Sequence, residues 1–210
     1  MPPEGVAQVI LITSVGRPGT VTPLVAELAE SFVLAGFDTL LISTPDVSDE
    51  VRSRYSLRST ASPRNTAGKM VVEGAPQPVP VHLGKGAVLG VLLPPRPTFG
   101  ASEQLSDMFR RNIKGWTSDN QVVIVQAPPL LETATALTLS AYADEVVLVL
   151  DRRSTKRTEL MAAVQVLEQH GAPVAGLVVT NCSTQQVGAG DTLIRRRSAS
   201  QLTDAVTRST

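Results

Sequence analysis

Residues 9–22 read VILITSVGRPGTVT, and the rest of the chain can be ordered around this stretch. Val9 to Thr13 is a short aliphatic run suited to burial on both faces, as in the first strand of a parallel sheet. A turn bearing glycine and proline, Ser14 to Thr20, follows. Thr22 then reads as an N-cap and Pro23 as the first helical residue. Leu24, Leu28, Ala29, Phe32 and Val33 supply an apolar helical face that ends before Gly36, and FDTLLIS, from Phe37 to Ser43, reads as the next strand. The first 45 residues therefore form a β-loop-α-β unit.

Further along, the same alternation resumes after an interruption. From Thr44 to about Gly86 the chain is rich in Pro, Ser, Arg and Gly, a pattern that predicts a long excursion with a short helix or two. Met70 to Val72 and Val79 to Val81 are its only short extended candidates. Ala87 to Leu93 gives a third strand, Ala101 to Trp116 a helix with Leu105, Met108, Phe109 and Ile113 on its inner face, and Gln121 to Val125 a central strand stopped by Pro128 and Pro129. Leu131 to Tyr142 reads as helix, Glu145 to Leu150 as strand, Thr158 to His170 as a helix ended by Gly171, and Val174 to Thr180 as the last strand. Six strands separated mostly by helices imply a doubly wound, mainly parallel sheet with helices on both faces.

The chain has 210 residues, enough for one core, and the expected organisation is a single domain over 1–197 with a variable excursion at about 44–86 and a polar tail over 198–210. Lys plus Arg and Asp plus Glu are each 19, so no global field draws the protein to nucleic acid or an anionic membrane. The sole cysteine, Cys182, excludes an intrachain disulfide and argues against a structural zinc site. No apolar run is long enough for a membrane helix, and Met1 to Gln8 lack the features of a signal peptide, so a cytoplasmic location is expected.

In a sheet of this kind ligands bind beyond the carboxyl ends of the strands, which directs attention to Ser14–Thr22. A phosphate-binding loop needs closely approaching glycine amides, a lysine for the terminal phosphates and a hydroxyl for magnesium. Here Gly16 and Gly19 are present, but Thr20 stands at the second signature glycine, Val21 at the lysine, and only Thr22 keeps the hydroxyl. Arg17 is cationic, yet its planar group does not reproduce a lysine held at the helix start. Pro23 pushes Thr22 away from helical geometry, which favours a capping role for it. Two readings stand for the loop: a tight turn without phosphate, or a weakened anion or nucleotide site. The strand ends lack acids as well, because the second strand ends in Ser43, Thr44 and Pro45 and the central one in Gln126 and Ala127. Asp46 and Asp49 are nearby and are either compensating acids or surface groups.

At these segments the chain resembles the MinD/ParA branch of P-loop proteins, and more closely the cytoplasmic ATPase domain of bacterial tyrosine kinases that accompany polysaccharide chain-length regulators. The marks are TSVGRPGTVT at 13–22, LVAELAESFVLAGFDTLLIS at 24–43, DNQVVIVQAPPLLETATALTLSAYADEVVLVL at 119–150 and TELMAAVQVLEQHGAPVAGLVVTN at 158–181. The resemblance implies a degenerate member. The family carries a lysine where this chain has Val21, aspartates where it has Ser43, Pro45 and Gln126, and a threonine where it has Ala127. Asn181 resembles the family's base-proximal asparagine, with a strand-end turn cap as the other reading. The C-terminal tyrosine cluster of autophosphorylated relatives is missing, since the only tyrosines are Tyr55 and Tyr142. The arginine-bearing helix that often precedes the first strand is also expected to be absent.

Other polar residues have plain readings beside sharper ones. Arg195 to Arg197, and Arg152, Arg153, Lys156 and Arg157 after the fifth strand, are either solvated groups or contacts for an anion or an acidic partner. His82 and His170 lack partners at metal or catalytic spacing, and Trp116 either anchors its helix or faces an interface. The expectation is a pseudo-ATPase acting as a regulatory or scaffolding subunit, in cell-surface polysaccharide assembly or export, with no catalytic residue, cofactor or metal of its own. The alternatives are an atypical ATPase or kinase holding ATP or ADP weakly with magnesium through Arg17, Thr22, Asp46 and Asp49, and a MinD/ParA-like positioning adaptor. The expected partner is a protein, such as the cytoplasmic segment of a membrane polysaccharide-assembly protein that recruits the chain to the inner face of the membrane, or a second copy in a homodimer. Direct binding to nucleic acid or membrane is not expected.

Overall fold

A computed structural model describes residues 7–16, 21–57, 77–84, 86–95 and 101–181. The strands are β1 (Gln8–Val15), β2 (Thr39–Ser43), β3 (Val79–His82), β4 (Val88–Leu92), β5 (Val122–Gln126), β6 (Glu145–Asp151) and β7 (Val174–Thr180). The helices are α1 (Val21–Leu34), α2 (Ser48–Arg54), α3 (Ala101–Asp119), α4 (Ala134–Ser140) and α5 (Arg157–Gln169).

The strands form one seven-stranded sheet in the order β3-β4-β2-β5-β1-β6-β7. From β1 the chain winds through β2 toward one edge, returns to β5 and continues through β6 and β7 to the other. That reversal beside β1 defines a doubly wound sheet. All pairs are parallel except β3 with β4, which run antiparallel. β3 adds a seventh strand to the six that periodicity identifies as strands, at the Val79–Val81 candidate. Its residues are mostly exposed and hydropathy alone is weak there.

Because side chains alternate along a strand, the two faces collect different residues. Val9 and Leu11 of β1, Leu40 and Ile42 of β2, and Val123 and Val125 of β5 pack with Phe109, Leu139 and Leu167 of α3, α4 and α5. The intervening Ile10, Ile12, Leu41, Val122 and Ile124 pack with Val21, Val25, Ala29 and Val33 of α1 and Val51 of α2. Helices thus cover both faces, the placement that right-handed crossovers in opposite directions dictate.

Two local readings are corrected. Helix α1 begins at Val21, not Pro23, and its buried face runs through Val21, Val25, Ala29 and Val33 at four-residue spacing, with Ala26 beside it. Leu24, Leu28 and Phe32 flank that face half-buried. Proline is tolerated in a first turn because its missing N–H has no partner there anyway. Gly36 ends the helix at φ +92°, a conformation natural to glycine. Helix α4 begins at Ala134 rather than Leu131, because Leu130 N donates to Ser14 O and Glu132 N to Pro129 O in a turn that precedes it. Trp116 is buried in the core, edge-on to Phe109 with ring centroids 5.2 Å apart. Met70–Val72, Cys182, Arg195–Arg197 and the tail lie outside the described residues.

Candidate functional site

The carboxyl ends of β2 and β5 place Ser43 opposite Gln126 in register, and Ile12 of β1 pairs with Gln126 on the other side. Counting back by twos, Gln126 shares a face with Ile124 and Val122, and Ser43 with Leu41. Both side chains therefore turn toward α1. There Gln126 Nε2 donates to Thr22 Oγ1 at 2.6 Å, and Ser43 Oγ donates to Gln126 Oε1 over a longer 3.3 Å. Ser43 and Gln126 are both fully buried and Thr22 is 4% exposed, so this Ser-Gln-Thr relay is a polar island inside the core. Buried amides and hydroxyls persist where they find such partners.

Thr22 is consequently not a cap. It sits within the first turn of α1, despite the restriction that Pro23 places on it, because Gln126 grips its hydroxyl and Val21 is anchored in the core. Val21 is 1% exposed among Ile10, Ile12 and Val25, an apolar packing position and not one that projects toward solvent. Gly16, at φ +91°, makes the turn that leaves β1, and Ser14 Oγ donates to its carbonyl at 3.0 Å. Arg17, Gly19 and Thr20 lie outside the described residues.

Around the relay the backbone is closed. Thr44 N donates to Gln126 O, Ala127 N to Ile12 O, and Thr13 Oγ1 to Pro128 O at 2.7 Å. Pro45 is buried and its carbonyl accepts Ser48 Oγ at 3.2 Å. One group is left over: Thr44 Oγ1 is buried without a hydrogen-bond partner among the described residues.

Carboxylates stand apart from this island. Asp46 is exposed in the turn before α2, and Asp49, expected in a loop, is exposed in the first turn of α2. The groups that converge at the strand ends are one amide and two hydroxyls, all neutral. A divalent cation holds water reluctantly released and favours carboxylate oxygens, which this set does not offer. Among the described residues no cluster of three or more His, Cys, Asp or Glu side chains is arranged to hold a metal. His82 is exposed on β3, and His170 Nδ1 contacts Val166 O at 2.8 Å at the end of α5.

At the next strand pair, Asn181 adopts φ +58° just past β7, and its Nδ2 donates to Asp151 Oδ2 at 2.6 Å. Asp151 Oδ1 accepts Arg153 N at 2.8 Å, so one carboxylate joins the exits of β6 and β7. Asn tolerates the left-handed region better than most residues. The sequence offered no signal for this pairing, since Asp151 reads as the polar end of an aliphatic strand.

The same doubly wound arrangement occurs in solved P-loop proteins. The VpsO kinase domain is 23% identical, with 84% of this chain and 86% of that one covered and a TM-score of 0.66. The kinase domain of the Escherichia coli tyrosine kinase ETK is 20% identical over 87% of this chain and 72% of that one, with a TM-score of 0.59. The MinC:MinD cell division protein complex of Aquifex aeolicus gives 18% identity, 88% and 73% coverage and a TM-score of 0.66. No protein-family model matches the chain, and no curated protein matches it in sequence. The chain has the P-loop NTPase-like fold of MinD and the bacterial tyrosine kinase domains. At these identities the likeness defines the fold, and the chemistry rests on the residues at the strand ends. Among the described residues no helix is long and apolar enough to cross a membrane.

Proposed function

We propose that this protein is a catalytically silent member of the P-loop-like fold that works by binding another protein, as a regulatory or scaffolding subunit. The observation that carries the reading is the buried Gln126–Thr22 hydrogen bond. In an active phosphoryl-transfer site, positive charge and a metal neutralise charge that develops on the transferred group. Here the helix-start hydroxyl is engaged by a neutral amide, and the residue at the lysine position is Val21, packed in the core. These residues do not fit a magnesium-nucleotide complex.

A protein partner is supported by the use to which the fold is put elsewhere, since MinD is found in complex with MinC. A homodimer is a second form that such a partnership can take. The likeness to tyrosine kinase domains favours a role in assembly or export of a cell-surface polysaccharide, with recruitment to the inner face of the membrane through the partner. The domain organisation proposed with this function is one unit over 1–197 followed by a polar tail.

The test is phosphate release and phosphotyrosine formation by the purified chain with ATP and magnesium. Neither should rise above a no-protein background. Magnesium-dependent turnover that disappears in Asp46→Ala or Asp49→Ala would establish the compensating-acid mechanism and overturn the silent-site reading.

A further inference from the structure

The turn between β6 and α5, residues 152–157, reads RRSTKR and leaves the sheet at the same end as Gln126 and Ser43. Arg152, Arg153, Lys156 and Arg157 are all exposed there. The two carboxylates that bracket them are occupied otherwise: Asp151 accepts Arg153 N and Asn181 Nδ2, and Glu159 Oε2 accepts Lys156 N at 3.0 Å. On α2 and α3, Arg54 bridges to Glu30 at 3.2 Å, and Arg110 and Arg111 bridge to Asp107 at 2.9 and 3.6 Å. Arg153, Lys156 and Arg157 form no such ion pair with a described residue. A chain of zero net charge thus carries a concentrated positive patch in one turn.

The backbone beneath the patch is fixed. Arg152 N donates to Thr180 O at 3.2 Å, Thr155 N to Asp151 O at 2.9 Å, and Thr155 Oγ1 to Val15 O at 3.1 Å, which fastens the turn to β7 and β1. A preorganised turn spends less ordering entropy when a ligand binds. The patch is also short. Polybasic lipid binding commonly uses clusters of about four to eight basic residues, so the four in this turn stand at the bottom of that range, and duplex DNA sites commonly neutralise on the order of six to ten phosphates. A single turn with two guanidinium forks and an ammonium unpaired suits a run of a few carboxylates, which arginine binds bidentately.

We propose that Arg153, Lys156 and Arg157 form the docking surface for an acidic segment of the protein partner. The inference rests on the protein-binding reading above and gives that partner its chemistry. The helix start contributes little of its own, because Glu159 already holds the Lys156 amide.

The experiment is a calorimetric titration of the full chain at low salt with a short peptide of consecutive glutamates. It is repeated with Arg153→Ala/Lys156→Ala/Arg157→Ala, with the single variant Arg153→Glu, and with Arg110→Ala/Arg111→Ala as a control. Thermal unfolding of each variant establishes that it is folded, and Arg153→Glu decides the result if the triple variant is not. The patch variants should weaken binding at least tenfold and the control should not. Absence of peptide binding, equal weakening in the control, or tighter binding to phosphatidylserine vesicles or duplex DNA would overturn the proposal. Nucleotide titration in parallel keeps the two readings apart: a chain that binds neither ligand retains the silent site and loses this docking surface.

Discussion

Gln126 and Thr22 lie 104 residues apart in sequence and meet through a 2.6 Å buried hydrogen bond that joins the end of β5 to the first turn of α1. Gln126 is also the acceptor for Ser43, so its removal strands two buried hydroxyls at once. Gln126→Ala is expected to lower unfolding free energy by about 2–4 kcal/mol, combining lost hydrogen bonds with a cavity. Urea denaturation measures it, and a loss below about 0.5 kcal/mol, the range of an ordinary surface substitution, would mean the relay does not hold the strand ends.

Val21 provides the complementary test. Lysine at this position would restore the expected phosphate-loop side chain in sequence, but it would place an ammonium in a site that is 1% exposed. Val21→Lys is expected to cost at least about 2 kcal/mol of stability and to confer no ATP turnover. Unchanged denaturation midpoints would show that the side chain escapes toward solvent.

Thr44 should respond in the opposite direction. Its hydroxyl is buried without a partner among the described residues, so Thr44→Val exchanges an unsatisfied polar atom for a methyl of similar size. Removal of that desolvation burden is expected to leave stability unchanged or to raise it by about 1 kcal/mol. Destabilisation beyond that amount would indicate that the hydroxyl makes a favourable contact.

On the outer side of α1, Tyr55 Oη donates to Glu30 Oε1 at 2.9 Å, and Arg54 Nη2 reaches the same oxygen at 3.2 Å. Burial, and then the bond to Glu30, raise the Tyr55 phenol above its ordinary value of 10.0. The folded chain holds that proton more tightly than the unfolded one, so the contribution is intact below pH 10 and is lost as pH rises beyond it. Stability should therefore fall between neutral pH and pH 11 more steeply in the wild type than in Tyr55→Phe, a variant that costs about 1 kcal/mol at neutral pH. Parallel slopes for the two proteins would remove Tyr55 as the cause.

Much of this arrangement can be read from the chain itself. The aliphatic runs at Val9, Leu40, Val122 and Val146 are too uniform to be anything but buried strands, the run at Val174 is a half-buried edge strand, and the helices between them force parallel pairing. The two-residue period even places Ser43 with Leu41 and Gln126 with Ile124. The register that sets Ser43 opposite Gln126 is absent from hydropathy, and so is the direction of the Thr22 hydroxyl. Glutamine at a strand end reads as generic polarity until its two partners are seen. Pro23 carries a strong local signal for a helix start, which the burial of Val21 outweighs, so α1 begins two residues earlier. Asn181 and Asp151 escaped pairing for a related reason: their bond depends on the turn after β6, whose geometry no periodicity encodes.

The central claim is that a neutral, buried relay has replaced the phosphate site, and calorimetric titration of the wild-type chain with ATP and ADP, with and without magnesium, tests it most directly. The account predicts no binding up to millimolar nucleotide and no effect of magnesium. Micromolar, magnesium-dependent binding would contradict it, and would mean that Val21, Ser43 and Gln126 are not what decides nucleotide binding in this fold.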